Sequence, residues 1–188
     1  MKRFCVRAGL AALCALSLAG CIDSSGPILA DSADVFGPRL KLQLFSLRKG
    51  YAHDPEQATY SWNGAIYAHS GGTMKDVSGF SVHPFEAGDS IIQTVPSKQG
   101  QTTEFALLHK LAEGVFQVVA IDEADADEQT RAAYCKHVDK SGCRIETREQ
   151  LFAFARATQA QRHDDGGLAI RLPDAADKEP RRPRSRRK

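Results

Sequence analysis

The sequence predicts an α+β fold: one domain in which a curled antiparallel β-sheet, a meander or partial barrel, carries two helices near its C-terminal end. Three observations predict it. Leu40, Leu42 and Leu44 alternate with Lys41 and Gln43, the period of a strand with one face in a core and the other in water. Turn-forming clusters such as Asn63-Gly64 and Pro96-Ser97-Lys98-Gln99-Gly100 separate apolar runs at intervals of about ten residues, as in a meandering antiparallel sheet. Thr147-Arg148-Glu149-Gln150 has the spacing of a capping box and opens a helical apolar face.

Taken in order, the first strand covers Leu40 to Leu44. Tyr60 to Tyr67 flanks Asn63-Gly64, whose tolerance of positive φ suits a two-residue hairpin turn. Strand-like runs follow at Val77 to His83, Ser90 to Val95, Thr102 to Leu111 and Val115 to Ile121. The acidic stretch from Asp122 to Glu128 then leads into a short helix over Gln129 to Lys136, since carboxylates favour the positive end of a helix dipole. A second helix spans about Arg148 to Arg162, with Leu151, Phe154, Ala155 and Thr158 on one face. Gly166-Gly167 precedes the alternating Leu168-Ala-Ile170-Arg-Leu172, so the chain returns to the sheet for a last strand.

The first twenty residues are expected to be removed. Lys2, Arg3 and Arg7 precede an apolar stretch from Ala8 to Ala19, too short for the roughly 20 residues that cross a bilayer. A basic start, a short apolar run and small residues at its end form the pattern of a secretory signal. Leu18-Ala19-Gly20-Cys21 resembles the lipobox of bacterial lipoproteins. That resemblance implies that Cys21 is lipidated and becomes the first mature residue, so that more than one acyl chain anchors the protein without spanning the membrane. Ile22, rather than Asp, follows the Cys; by the enteric sorting pattern this implies outer over inner membrane, with the body facing the periplasm. Residues 21–38 are expected to be a tether, 39–173 the β-rich globular domain and 174–188 a disordered basic tail.

Removal of residues 1–20 from the 188 leaves 168, enough for one core. Of 25 basic residues, three fall in the signal and six in 181–188, leaving 16 against 23 acidic residues, a formal charge of −7 over 21–180. An acidic body thus ends in Arg181, Arg182, Arg184, Arg186, Arg187 and Lys188. This run suits an anionic envelope component or an acidic protein through salt-sensitive attraction, and export argues against nucleic acid. Cys5 and Cys14 leave with the signal and Cys21 takes the lipid, so Cys135 and Cys143 form an even pair in an oxidising compartment and read as a disulfide. A loop of this size contributes about 2.5 kcal/mol on the chain-entropy account. A zinc site on Cys135, His137 and Cys143 lacks a fourth ligand.

The Cys pair together with Cys143-Arg-x-x-Thr-Arg-Glu-x-Leu151 also resembles, loosely and over about Thr102 to Leu172, small proteobacterial lipoproteins of unassigned activity. It implies no functional residue.

Chemistry-bearing motifs are sparse. Ser46-Leu-Arg-Lys49 fits the S-x-x-K pattern of penicillin-interacting serine enzymes without its companion S-D-N and K-T-G motifs. No G-x-S-x-G, H-E-x-x-H, phosphate loop or dinucleotide glycine motif occurs. The six histidines, 53, 69, 83, 109, 137 and 163, share no helical spacing, although His69 and His83 could meet across neighbouring strands. Asp122, Asp125 and Asp127 cluster as calcium ligands do but lack the loop glycine, and read better as a solvated helix start. No cofactor and no metal is expected. The sequence therefore favours a non-enzymatic, lipid-anchored envelope module that binds a partner or supports envelope structure. Its rival is a carrier or sensor that holds a small apolar ligand in the curled sheet.

Overall fold

The computed structural model describes residues 22–24, 26–46, 55–72, 77–86, 88–98, 103–137, 142–159 and 166–173. Its strands are β1 (Asp23–Ser24), β2 (Arg39–Ser46), β3 (Glu56–Trp62), β4 (Tyr67–Gly72), β5 (Val77–Pro84), β6 (Ser90–Pro96), β7 (Thr103–Ala112), β8 (Val115–Ala120), β9 (Lys136–His137), β10 (Cys143–Arg144) and β11 (Gly167–Leu172). The helices are α1 (Glu128–Tyr134) and α2 (Arg148–Thr158). The short strands β1, β9 and β10 carry no alternation and were not expected from the sequence.

Strands β2 to β8 meander antiparallel. β11 then inserts between β8 and β2, and β6 pairs with β7, so the sheet closes into an eight-stranded barrel. Closure goes beyond the partial barrel that local patterns predict, because the β8–β11 and β11–β2 ladders join residues far apart in sequence. Alternation sets the two faces. Leu40, Leu42 and Leu44 of β2, Ala58 and Tyr60 of β3, Phe80 and Val82 of β5, Ala106 and Leu108 of β7, and Phe116 and Val118 of β8 fill the interior. Lys41, Gln43, Gln57, Thr59 and Gln117 take the alternate positions outside. That is the reverse of a lipid-facing barrel, which shows lipid an apolar band.

Two glycines matter to this wall. The β3–β4 connection is a four-residue loop, 63–66, rather than a two-residue turn. Gly64 adopts φ +96° there, and Asn63 Oδ1 accepts from the backbone N–H of Ala65 and Ile66 at 3.0 and 2.9 Å. Gly79 lies where β5 crosses β4 so closely that a Cβ would stand 2.4 Å from the Tyr67 carbonyl oxygen.

A second core lies outside the barrel. Ile91, Phe105 and Leu107 face outward from β6 and β7 and are covered by Leu151, Phe154 and Ala155 of α2 with Ile22, Leu29, Cys143 and Ile145. Thr147 and Gln150 make the expected capping box at the start of α2. The helix is described to Thr158, and residues 160–162 of the expected span lie outside the described residues. The Thr158 hydroxyl donates back to the Phe154 carbonyl at 3.0 Å and Gln159 takes the C-cap.

The stretch expected as a tether is docked instead. Ile22 and Leu29 belong to the outer core and Phe36 to the inner one, each nearly inaccessible to solvent. Ile22 N–H donates to the Ile121 carbonyl, and β1 pairs with β7 and β10. We call residues 22–37 the strap. Its sequence lacks periodicity because side chains of the body, not a regular ladder, hold most of it in place. Cys21, the loop 47–54 and the tail from 174 lie outside the described residues.

Candidate functional site

The barrel interior is not fully packed. A cavity bordered by Leu42, Leu44, Tyr60, Val77, Phe80, Ile92, Thr94, Leu108, Phe116, Val118 and Ala169 has Phe36 at its floor and extends toward the end where β2 stops and β11 starts. About 40 Å³ of it can hold the centre of a water-sized sphere. Eight strands leave an interior that side chains nearly fill, with room for one small ligand at most. Its walls are apolar apart from the Thr94 and Tyr60 hydroxyls, and Thr94 is committed to the β7 backbone, accepting from Glu104 N–H at 2.9 Å.

The opposite end is plugged. The Tyr67 hydroxyl donates to Asp34 Oδ1 at 2.5 Å and accepts from Phe36 N–H at 2.7 Å, which locks the strap's aromatic plug into the barrel floor. Phe36 meets Tyr67 and Phe116 edge-on at 5.4 and 5.2 Å. Burial, and then the bond to Asp34, raise the Tyr67 phenol far above its ordinary range. It therefore stays a donor at any physiological pH.

Glu56 and His69 face the interior by strand parity, and no sequence motif marks either. Glu56 shares the inward face of β3 with Ala58 and Tyr60. His69 stands opposite Tyr60 on β4, the rings 5.6 Å apart. Glu56 Oε2 and His69 Nε2 are buried and have no hydrogen-bond partner among the described residues. A buried polar atom left unpaired costs about 1–3 kcal/mol, which is why such atoms mark places where a further group is accommodated. Burial first, and then the charge of Glu56, push the Tyr60 phenol well above its ordinary range. Tyr60 thus presents a neutral phenol at the cavity wall.

A second polar cluster lies outside the barrel, under the strap. Gln93 Oε1 accepts from the N–H groups of both Ile28 and Leu29 at 2.9 Å, and Gln93 Nε2 donates to the Leu29 carbonyl and the Ser81 hydroxyl, each at 3.2 Å. His83 Nε2 and Ser81 Oγ are 2.7 Å apart. The pair has the spacing of a nucleophile and base, but Ser81 and His83 are 3% and 2% exposed, and neither borders the cavity. Burial, as the main cause, lowers the His83 pKa below 6.5. This cluster holds the strap.

The other residues singled out from sequence fall as follows. Cys135 and Cys143 lie at disulfide distance, their Cα atoms 4.9 Å apart, beside β9 and β10. His69 and His83 do not meet: one faces the interior and the other the outer surface, because β4 and β5 register Ala68 against Gly79. Asp122 and Asp127 are N-caps, accepting from Ala124 and Thr130 N–H at 2.8 and 2.7 Å. Ser46 ends β2, while Lys49, His53, His163, Cys21 and the tail residues Arg181, Arg182, Arg184, Arg186, Arg187 and Lys188 lie outside the described residues. Among the described residues no helix is long and apolar enough to cross a membrane.

Comparison with protein-family models, with curated proteins and with solved structures finds no match to this chain.

Proposed function

We propose that this is an exported, lipid-anchored binding protein whose barrel interior holds a small, largely apolar ligand, with no chemical step performed on it. The observation that carries the reading is the almost wholly apolar cavity inside the closed barrel. A single hydroxyl on an otherwise apolar ligand would meet Tyr60 or Thr94, the polar residues that border the cavity. The disulfide-distance pair Cys135 and Cys143 supports an oxidising compartment. Attachment through Cys21 and the periplasmic face of the outer membrane belong to the proposal on the strength of the lipobox. A partner-binding role rests on the basic tail alone and is the weaker reading.

The size of the cavity limits affinity. A water-sized body needs about 10–15 Å³ of such space, so the cavity takes three or four methylene-sized units. At about 0.8 kcal/mol for each buried methylene, this amounts to about 3 kcal/mol, and a completed hydrogen bond adds about 1 kcal/mol. The sum is about what a millimolar affinity requires. Native mass spectrometry of the full chain, extracted from membranes in mild detergent, tests the reading. Uptake of short alkyl alcohols added at millimolar concentration, lost in Val118→Phe, is the expected result. Absence of any adduct, with no uptake of added short alkyl alcohols, would refute lumen binding.

A further inference from the structure

The strap enters the fold at one end of the barrel. Ile22 is fully buried, its N–H bonded to Ile121, and the next two residues pair with Thr103 and Glu104 at the start of β7. The described chain therefore begins at this point of the barrel. The start of β7 and the end of β8 belong to the same barrel end as Ser46, Val77, Pro96 and Gly167, as the registers Val77 with Pro96 and Ser46 with Gly167 require. That is the end toward which the cavity extends.

We infer that the anchor holds this end of the barrel at the bilayer surface and that the ligand is the end of an alkyl chain drawn from the membrane, its terminal carbons in the cavity beside Leu44, Leu108 and Val118. The inference rests on the lipid-anchored, lumen-binding reading above and gives its ligand a class and a source. Three observations bear on it: Ile22, next after Cys21 in sequence, is buried and hydrogen-bonded to the body, the cavity is lined almost wholly by apolar groups, and the lumen is too small to bind a free solute tightly. The last point favours a membrane source. Weak intrinsic affinity suffices when tethering keeps the local concentration of chains high, as it does for any linked binding pair.

The test uses the full chain in bacteria fed a fatty acid with a diazirine near its methyl end, followed by irradiation, membrane fractionation and peptide mass spectrometry. The expected result is label on the peptides carrying Leu44, Leu108 or Val118. An adduct of phospholipid mass assigns a bilayer chain; a crosslink to the Cys21 peptide assigns the protein's own lipid. Either supports the inference. In Val118→Phe and in Ala169→Leu, each filling the cavity from a different strand, lumen label is lost while label near residues 22–24 persists; the second variant serves if the first does not fold. Membrane-associated protein labelled only outside the barrel overturns the inference and leaves the anchor intact. Unlipidated protein in the soluble fraction overturns the anchor reading, and the inference with it.

Discussion

Replacing Gln93 with Leu should cost about 3–5 kcal/mol, although no sequence pattern marks Gln93 as special. The substitution leaves Ile28 N–H, Leu29 N–H and the Leu29 carbonyl without the partner they now share, in a site where Gln93 itself is 2% exposed. Each buried, unpaired group costs about 1–3 kcal/mol, so a strap that stays in place loses at least about 3 kcal/mol. The strap can instead lift away. Lifting exposes Leu29, at about 1.5–3 kcal/mol, and breaks the bonds that Ser32 and Ala33 make with the backbone of Val82, at about 1 kcal/mol each. The two routes have similar costs, so neither rescues the variant. Against a total stability of about 5–15 kcal/mol this is a severe lesion. Urea unfolding followed by the fluorescence of the single tryptophan, Trp62, measures the loss, and amide hydrogen exchange over residues 26–36 reports lifting. Gln57→Leu, on the exposed outer face of β3, is the control and should change stability by no more than about 0.5 kcal/mol. A loss below about 1 kcal/mol for Gln93→Leu with unchanged exchange would show that the strap is not part of the folded unit.

Burial keeps His83 neutral below the pH at which the unfolded chain takes up its proton, near 6.5. The unfolded state therefore binds more protons on acidification, and stability falls as pH drops from about 6.5 and is fully present above it. His83→Gln should flatten that slope in urea titrations at pH 5 to 8, whatever its baseline cost; an unchanged slope would assign the pH dependence elsewhere. Gly79→Ala places a Cβ 2.4 Å from a backbone oxygen that cannot swing aside, and should lower stability by about 1–3 kcal/mol by forcing β4 and β5 apart; a neutral result in thermal melts contradicts the close crossing. Reduction should cost about 2.5 kcal/mol through the Cys135–Cys143 loop, a fall in Tm of about 5–10 °C. Cys143→Ser should exceed Cys135→Ser, since Cys143 is inaccessible within the outer core. Equal losses would show that only the crosslink matters.

The strands were legible because one-sided burial writes itself into sequence as alternation, and β2, β6, β7, β8 and β11 fall within a residue or two of where Leu40, Ser90, Thr102, Val115 and Leu168 place them. The second helix was legible from its capping box. Barrel closure was not, since the ladders that close it depend on the return of β11 after an excursion through both helices. The strap was illegible for a different reason. Ile22, Leu29 and Phe36 stand seven residues apart in an irregular segment, and what fixes them, Gln93 and Tyr67, belongs to distant strands. The inward polar groups did leave a trace. Glu56 has the parity of Ala58 and Tyr60, so a carboxylate at a core-facing position could be read once β3 is begun at residue 56 rather than at Tyr60.

Parity also explains why the strap exists. Ile91-Ile92 and Phe105-Ala106-Leu107-Leu108 are continuous apolar runs, as strands covered on both faces must be: Ile92, Ala106 and Leu108 face the lumen, while Ile91, Phe105 and Leu107 face outward. The outward face needs a cover, and the chain builds it from α2 and its own N-terminal segment. The same segment completes the barrel wall at its weakest seam. β4 and β5 share only the pairs Tyr67 with Phe80 and Ala68 with Gly79, and beyond them the backbone of Val82 is taken up by Ser32 and Ala33 of the strap. Strap docking, closure of the lumen and seating of the Phe36 plug are therefore one cooperative event. Whatever displaces Ile22 acts, through the strap, on the wall and the floor of the cavity.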